Sequence, residues 1–327
     1  MILSFLIILS ILSLIQLSLS RPTEQERVAL WYESGNTWPP QWQDEAEGYR
    51  RLMEERDAEL MRVLPGSDER WENYMQYTQG RMVPKFTARG FDVVDTPHEI
   101  HEKMYNAVKS QVDNFDNLPY EHDVDCIYHP PGLAPKFAHL SNLAREVHLE
   151  LLPYHEAWGG MKLKPTSAYG VRLYQNGSSL VMHHDKVQTH VISSIVHIVH
   201  EGENWPIDIE SHDTGELFSL ELQPGQMLFY ESAKCLHGRM SEFKGKYYGS
   251  IFLHYQPVEK DIWNYTVEDV IANVPPHWSM NTTEPKGSRW AGQAITIDSR
   301  VAEGAPLRLS MSDPRFRESK KGKHVRR

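Results

Sequence analysis

Cysteine, positive charge and long apolar runs are all scarce in this 327-residue sequence. Two cysteines cannot staple a disulfide scaffold, so folding must rest on a hydrophobic core. The 34 Lys and Arg residues are outnumbered by 44 Asp and Glu residues, which gives a formal net charge of −10. That charge argues against nucleic acid as the main partner. After the first twenty residues, no run is apolar enough to predict a membrane span.

The two cysteines, Cys126 and Cys235, leave two states open. In an oxidising compartment they could form one disulfide, which would brace the chain just before His237. Two free, buried thiols are the alternative, because the sequence does not give the distance between them.

The first twenty residues contain no charge and are dominated by Leu, Ile and Ser, ending in Ser18-Leu19-Ser20. This pattern predicts a cleaved signal peptide over residues 1–20, although the usual positive residues at its start are missing. A retained membrane anchor is the alternative, since the run is nearly long enough to span a bilayer. With cleavage, we expect a protein of the secretory pathway, either in the endoplasmic reticulum lumen or secreted, without a membrane span.

Residues 21–98 are predicted to be a helical and irregular N-terminal extension. Apolar residues keep a helical spacing between positions 49 and 64, where Pro65-Gly66 stops the run, and Ser67 can cap a second helix. The aromatic residues of this segment, including Trp31, favour packing onto the rest of the protein.

Residues 99–258 are predicted to be the main domain, with two helices followed by strands. Thr96-Pro97-His98-Glu99 is typical of a helix start, with Thr96 as the cap, and a second helix is expected from about Pro135 to Leu152, ending at Pro153. From Ser167 the apolar period becomes that of strands. About seven short strands separated by Gly and Pro turns predict a mostly β core of the jelly-roll type, buttressed by the helices.

Residues 259–327 are predicted to be a C-terminal extension. A helix is expected over 261–274, before Pro275-Pro276, and the chain ends in a basic tail. The tail carries seven Lys or Arg residues against one Glu between positions 315 and 327, a composition typical of a solvated, disordered end.

The candidate site begins at His183-x-Asp185. Side chains alternate along a strand, so these two residues can reach one metal ion while His184 points away. A third histidine, His237, follows an apolar strand-like run, and Lys246 comes nine residues later. Two imidazoles and one carboxylate fill one face of an octahedron and leave the other positions for substrates, which is the arrangement used by non-haem Fe(II) oxygenases.

The ordered set of motifs resembles the prolyl 4-hydroxylase-like branch of the 2-oxoglutarate- and Fe(II)-dependent dioxygenases. The motifs are Tyr174-x-x-Gly177, His183-x-Asp185, Pro224-Gly225-Gln226-Met227-Leu228-Phe229, His237 and Gly245-Lys246-Tyr247.

The resemblance implies a double-stranded β-helix, or jelly roll, that holds Fe(II) by His183, Asp185 and His237. It also implies that Lys246 binds the distal carboxylate of 2-oxoglutarate and that Tyr174 lines the same pocket. The implied cofactors are Fe(II), 2-oxoglutarate and O2, with ascorbate as a helper, and no catalytic residue is implied beyond the metal centre.

The implied reaction is hydroxylation of a C–H bond with release of succinate and CO2, and peptidyl proline is the first choice of substrate. Leu180 and Tyr247 stand where the family often has an aromatic residue and the secreted prolyl hydroxylases a Trp, so another peptide or a small molecule stays open. Arg239 and Lys244 are the nearest alternatives to Lys246 as the anchor.

Two other functions compete with this interpretation. A jelly-roll binding protein without activity would be expected to lose a ligand or the lysine, and this sequence keeps all four residues. A zinc hydrolase could use the same three ligands, but zinc favours tetrahedral sites and needs no carboxylate-anchoring lysine. His184 and His190 are expected to lie around the centre or at the surface, and His254 to be a strand residue.

Three Asn-x-Ser/Thr sequons are present, at Asn176, Asn264 and Asn281. Asn264 and Asn281 lie in polar surroundings near prolines and are expected to carry glycans. Asn176 precedes the metal-binding strand, where a glycan would crowd the substrate, so we expect no glycan there.

Overall fold

The computed structural model describes residues 45–121, 126–187, 189–259 and 273–279, together with the single positions 29, 33 and 282. The predicted signal peptide, Trp31, the sequons at Asn264 and Asn281, most of the helix predicted over 261–274 and the basic tail lie outside these residues. A search of the described part of the chain finds no helix with the length and apolar character needed to cross a membrane.

Eight antiparallel strands form the core. They are β4 (Leu163–Tyr174), β5 (Ser179–His183), β6 (Ile192–Gly202), β7 (Ile207–Glu210), β8 (Leu217–Leu220), β9 (Gln226–Tyr230), β10 (His237–Arg239) and β11 (Gly245–Pro257). The major sheet has the order β9-β6-β11-β4 and the minor sheet the order β5-β10-β7-β8. Consecutive strands therefore cross between the two sheets at nearly every step. This is the double-stranded β-helix, and the predicted jelly roll is confirmed.

Three short strands extend the two sheets. β1 (Phe91–Asp95) pairs with β9, β3 (Lys136–Phe137) pairs with β4, and β2 (Ile127–Tyr128) pairs with β5. β1 belongs to the segment that the sequence predicted to be helical and irregular. The major sheet therefore begins before position 99, where the main domain was expected to start.

The major sheet is buried on both faces. In β11, Ile251 and Leu253 pack in the cluster that includes the helices, whereas Tyr248 packs with Trp205 between the two sheets. Because both faces are covered, β6 and β11 are buried along most of their length.

Helices α3 (His98–Val112) and α4 (Ser141–Gly159) cover the outer face of the major sheet, as predicted. The expected cap at Thr96 is wrong. Pro97 occupies the cap position of α3, and the buried hydroxyl of Thr96 has no hydrogen-bond partner among the described residues. The Thr96 N–H instead donates to the carbonyl of Gly225 (2.8 Å), which fastens the turn after β1 to the sheet.

The boundaries predicted for α4 are also wrong. The residues after Pro135 form β3, and the helix continues through Pro153 to a left-handed cap at Gly160 (φ 68°). A proline inside a helix cannot donate to the carbonyl four residues earlier. That residue is Leu149, which is 53% exposed, so water can reach this part of the helix and replace the missing donor.

The two predicted N-terminal helices are confirmed as α1 (Glu47–Arg62) and α2 (Asp68–Met82), and the hydroxyl of Ser67 accepts from the N–H of Arg70 (3.1 Å). They pack on the outer face of the minor sheet, where Leu60 joins a cluster with Met182. Trp71, Tyr74 and Tyr77 contribute to this packing. The packing predicted for Trp31, Trp38 and Trp42 concerns residues outside the described part of the chain. Each sheet is therefore covered by its own pair of helices.

We predict that Leu60→Ala destabilises the protein by about 3 kcal/mol, because Leu60 is fully buried and its removal leaves a cavity under the minor sheet. Urea unfolding would measure the loss. Leu64→Ala is the matched control. It deletes the same side-chain atoms, but at a position that is 74% exposed to solvent, so it leaves no cavity. Equal losses in the two variants would contradict the packing described here.

Candidate metal centre

Two antiparallel strands bring the predicted ligands together. His183 at the end of β5 lies opposite His237 at the start of β10. The Nε2 atom of His183 is 3.5 Å from one Asp185 carboxylate oxygen, and the Nε2 atom of His237 is 3.9 Å from the other. One potential ligand atom from each of the three residues lies within 4.8 Å of the others. The structure therefore assembles the predicted triad.

Backbone carbonyls fix the tautomers of both histidines. The Nδ1 atom of His183 is 2.7 Å from the carbonyl oxygen of Val181, and that of His237 is 2.9 Å from the carbonyl oxygen of Cys235. Since a carbonyl oxygen only accepts, each Nδ1 carries the proton and each Nε2 keeps a free lone pair. Both lone pairs belong to the atoms that approach Asp185. This is the orientation that metal-binding histidines require.

Asp185 lies in a loop, contrary to the expectation that it shares a strand with His183. β5 ends at His183, and the N–H of Asp185 donates to the carbonyl of Ser232 (2.9 Å). Burial of the Asp185 carboxyl would raise its pKa, but the contact with His183 and the fields of His237 and His190 outweigh burial and hold the pKa well below its ordinary value. The carboxyl is therefore ionised at neutral pH.

These three residues fit a divalent cation. Burial lowers the pKa of His237 to about 4, so its imidazole is neutral at pH 7. One Asp185 oxygen, Oδ2, is buried with no hydrogen-bond partner among the described residues. A neutral imidazole and an ionised carboxylate are the forms that bind metals. Two nitrogens and one carboxylate on one side of the centre match the facial donor set of non-haem Fe(II) sites.

The other histidines of this region surround the triad and are not ligands of it. His184 is buried on the opposite face of the minor sheet, beside Gln76 of α2, which confirms that it points away. His254 lies in β11, as predicted, and its ring packs at a tilt against that of His190, with 3.7 Å between the ring centroids. The Nδ1 atom of His254 is 4.0 Å from Asp185 Oδ2, so these two rings form a wall next to the ligands.

The structure does not bring Lys246 to the metal centre. Gly245 lies opposite Gly202, and Tyr247 lies opposite Glu201, so Lys246 is the extra residue of a β-bulge in β11. Its side chain is exposed, and its Nζ atom lies 5.7 Å from the ring centroid of Phe115, which belongs to the cluster outside the major sheet. The expectation that Lys246 points into the barrel assumed regular alternation, which the bulge interrupts.

A different cation, Arg239, lies inside the barrel. It follows His237 by two residues in β10. The register shifts between these residues, but the extra residue lies on β5, so β10 keeps its alternation and both side chains project from the same face. Arg239 is 2% exposed, and its guanidinium carbon lies 4.5 Å from the ring centroid of Trp205 and 4.7 Å from that of Tyr248. Its Nη1 donates to the carbonyl of Trp205. No carboxylate among the described residues forms an ion pair with it.

Tyr174 lies in the same part of the interior. It is 1% exposed, and its ring packs edge-on against Trp205 at 4.9 Å. Its hydroxyl accepts from Nη1 of Arg172 (3.1 Å). Arg172 is a second buried cation, but Glu121 neutralises it through two hydrogen bonds of 2.5 and 2.8 Å. Among the described residues, Arg172 therefore has a carboxylate partner and Arg239 has none.

Arg239 is one of the alternatives to Lys246 in the sequence, and the sequence carries one signal for it. The pair His237-x-Arg239 has the same two-residue spacing that singled out His183-x-Asp185. Trp205 gave no such signal, because it lies in a loop whose role depends on the fold.

Both cysteines are free thiols in the structure. Asn176 uses its side-chain oxygen to accept from the N–H of Gly245 (3.3 Å).

No protein-family model matches this sequence, and no curated protein matches it. Among solved structures, a Pseudomonas putida prolyl-4-hydroxylase is 14% identical and covers 55% of this chain and 98% of its own, with a TM-score of 0.36. A prolyl hydroxylase from Trichoplax adhaerens, in complex with a hypoxia inducible factor oxygen degradation domain peptide fragment, is 11% identical and covers 58% of this chain and 92% of its own, with a TM-score of 0.40.

HygX from Streptomyces hygroscopicus, with nickel, 2-oxoglutarate and hygromycin B bound, is 12% identical. It covers 52% of this chain and 84% of its own, with a TM-score of 0.37. At these identities the function must be argued from the side chains of this chain.

We predict that the wild-type protein binds one divalent metal ion and that Asp185→Ala removes stoichiometric binding, because only two ligands remain. Metal content after reconstitution with Fe(II) without oxygen, or with Mn(II), would measure it. Asp213→Ala removes an exposed carboxylate from the turn between β7 and β8 and should bind as wild type does. Unchanged metal content in Asp185→Ala would rule out this centre.

Proposed function

We propose that this protein is a 2-oxoglutarate- and Fe(II)-dependent dioxygenase. The observation that carries the proposal is the combination of the His183, Asp185 and His237 triad with a buried Arg239 that has no carboxylate partner among the described residues. A three-residue face leaves coordination positions for a chelating co-substrate and O2. The nearby cation suits a co-substrate with a second negative end.

His183, Asp185 and His237 would hold Fe(II). When bound, Fe(II) together with 2-oxoglutarate and O2 supplies the oxidising chemistry that hydroxylates a C–H bond and releases succinate and CO2. The contribution of the protein is geometric. The carbonyls of Val181 and Cys235 orient the two imidazoles, and the apolar walls of the barrel keep bulk water away from the centre.

Arg239 is the residue that we assign to the distal carboxylate of 2-oxoglutarate, in place of Lys246. A buried charge is costly unless it is paired, and Arg239 has no carboxylate partner among the described residues. Adjacent same-face positions on a strand are roughly 6.5 Å apart, which suits a short dicarboxylate extending from the metal towards Arg239. A guanidinium also presents two parallel donors to a carboxylate. Tyr174 and Trp205 would line this part of the pocket.

We predict that Arg239→Met weakens 2-oxoglutarate binding by roughly 100-fold while metal binding persists, because truncating one partner of a buried charge pair costs about 2–5 kcal/mol. Titration of the Mn(II)-loaded protein with 2-oxoglutarate would measure it. Lys246→Met is the control and should bind as wild type does, since Lys246 is exposed. The opposite result, with a loss only in Lys246→Met, would return the anchor to Lys246.

Peptidyl proline is the substrate that we propose, with ascorbate as the reductant that restores Fe(II) and the secretory pathway as the location. The motif set supports this choice. Tyr247, one of the two departures from the family pattern, packs against Phe115 on the outer side of the major sheet (5.3 Å between ring centroids). That departure therefore does not affect the wall of the pocket. Leu180, the other departure, is part of the interior.

We predict that proline-rich peptides stimulate succinate release when Fe(II), 2-oxoglutarate and ascorbate are supplied, and that the peptide gains one oxygen on proline. Mass spectrometry would locate the added oxygen. Matched peptides with alanine in place of proline are the control. If only proline-free peptides or small molecules stimulate turnover, the proline assignment fails, whereas the dioxygenase assignment stands.

A further inference from the structure

One of the three ligands, Asp185, lies outside the strands, and the loop that leads into His237 also lies outside them. Asp185 follows the end of β5, and residues 231–236 connect β9 to His237 at the start of β10. Strand pairing fixes His183 and His237 themselves. One backbone hydrogen bond, from the N–H of Asp185 to the carbonyl of Ser232 (2.9 Å), joins Asp185 to that loop, and the remaining support must come from contacts outside the sheets.

A side chain of the N-terminal extension supplies these contacts. Gln79, in the last turn of α2, donates from Nε2 to the carbonyl of Asp185 (2.8 Å) and to the carbonyl of Ala233 (3.0 Å). A carboxamide nitrogen has two N–H donors, and each one serves a different loop. Gln79 is 7% exposed, so water does not readily replace it.

The surrounding contacts fix the position from which Gln79 reaches these carbonyls. A Cβ atom on Gly80 would lie 2.8 Å from Nε2 of His184, so α2 approaches the ligand loop closely. The Nζ atom of Lys234 donates back to the carbonyls of Gly80 (2.9 Å) and Val83 (2.6 Å) at the end of the helix. The helix end and the loop before His237 therefore hold each other in place.

We propose that Gln79 is a positioning residue of the metal centre, which makes the N-terminal helices part of the site. Together with the hydrogen bond from Asp185 to Ser232, its carboxamide ties the backbone of Asp185 to the loop that leads into His237, and so helps to set the distance between these two ligands. This proposal rests on the proposed function, because it requires that the triad binds a metal. Outer contacts of this kind typically change metal affinity by 10- to 100-fold.

The test is the metal affinity of the full-length protein with Gln79→Met, which keeps the length of the side chain and removes both donors. We expect Mn(II) binding, measured by calorimetry, to weaken by about 10- to 100-fold. We also expect the electron paramagnetic resonance spectrum of bound Mn(II) to change, which a loss of stability alone would not cause. Circular dichroism of the metal-free protein would show that the variant is folded.

Tyr255→Phe is the matched control. It also removes one buried hydrogen bond from a side chain to a carbonyl, that of Tyr255 to His148 (2.8 Å), but in the helix layer on the outer side of the major sheet. Metal affinity should be unchanged in this variant. If Gln79→Met does not fold, Gln79→Asn takes its place, because it keeps the amide but cannot span both carbonyls.

Each outcome decides one question. If the wild-type protein binds no divalent metal, the proposed function fails. If the wild type binds metal and the folded Gln79 variant binds it equally well with the same spectrum, the positioning role is overturned. A similar loss of affinity in Tyr255→Phe would overturn it as well, because the effect would then follow general stability. A loss confined to the Gln79 variants supports the proposal.

Discussion

The pairing of β5 with β10 is the constraint on which the rest of the site depends. It places His183 opposite His237, and it turns both free Nε2 lone pairs towards the Asp185 carboxylate. Three electron-pair donors crowded into one buried place repel each other unless a cation lies between them. Two backbone carbonyls stabilise this arrangement, because they accept from Nδ1 of each imidazole and so hold both rings in the tautomer that a metal needs. The orientation of the three side chains is therefore one that a divalent cation would stabilise.

The charge balance inside the barrel extends the same argument. Two arginines lie between the sheets, and Glu121 neutralises only Arg172. The aromatic rings around Arg239 offer cation–π contacts, which compensate for burial only in part. A dicarboxylate that bridges the metal and Arg239 would satisfy both charges at once. If the proposed function is right, the burial of Arg239 would favour binding of such a co-substrate.

The layered fold could be predicted from the sequence, because each strand carries its own apolar period and the helices carry theirs. The triad could be predicted as well, since ligands near strand ends keep short, ordered spacings. The direction of the Lys246 side chain could not. Lys246 lies nine residues after His237, and only the pairing of Gly245 with Gly202 shows that a bulge turns it outward. Thr96 misled because its N–H donates to the carbonyl of Gly225 in the sheet, and Pro153 misled because water can replace the missing donor at the exposed Leu149.

Gln79 shows a limit of a different kind. Nothing in its local sequence distinguishes it from a solvent-facing glutamine on an amphipathic helix, because its partners are backbone carbonyls more than a hundred residues away. A sequence motif does not show which backbone carbonyls a side chain will contact. Residues that position a site through main-chain contacts are therefore visible only in the folded structure. The N-terminal helices, which the sequence marked only as packing onto the barrel, acquire a direct connection to the metal ligands in this way.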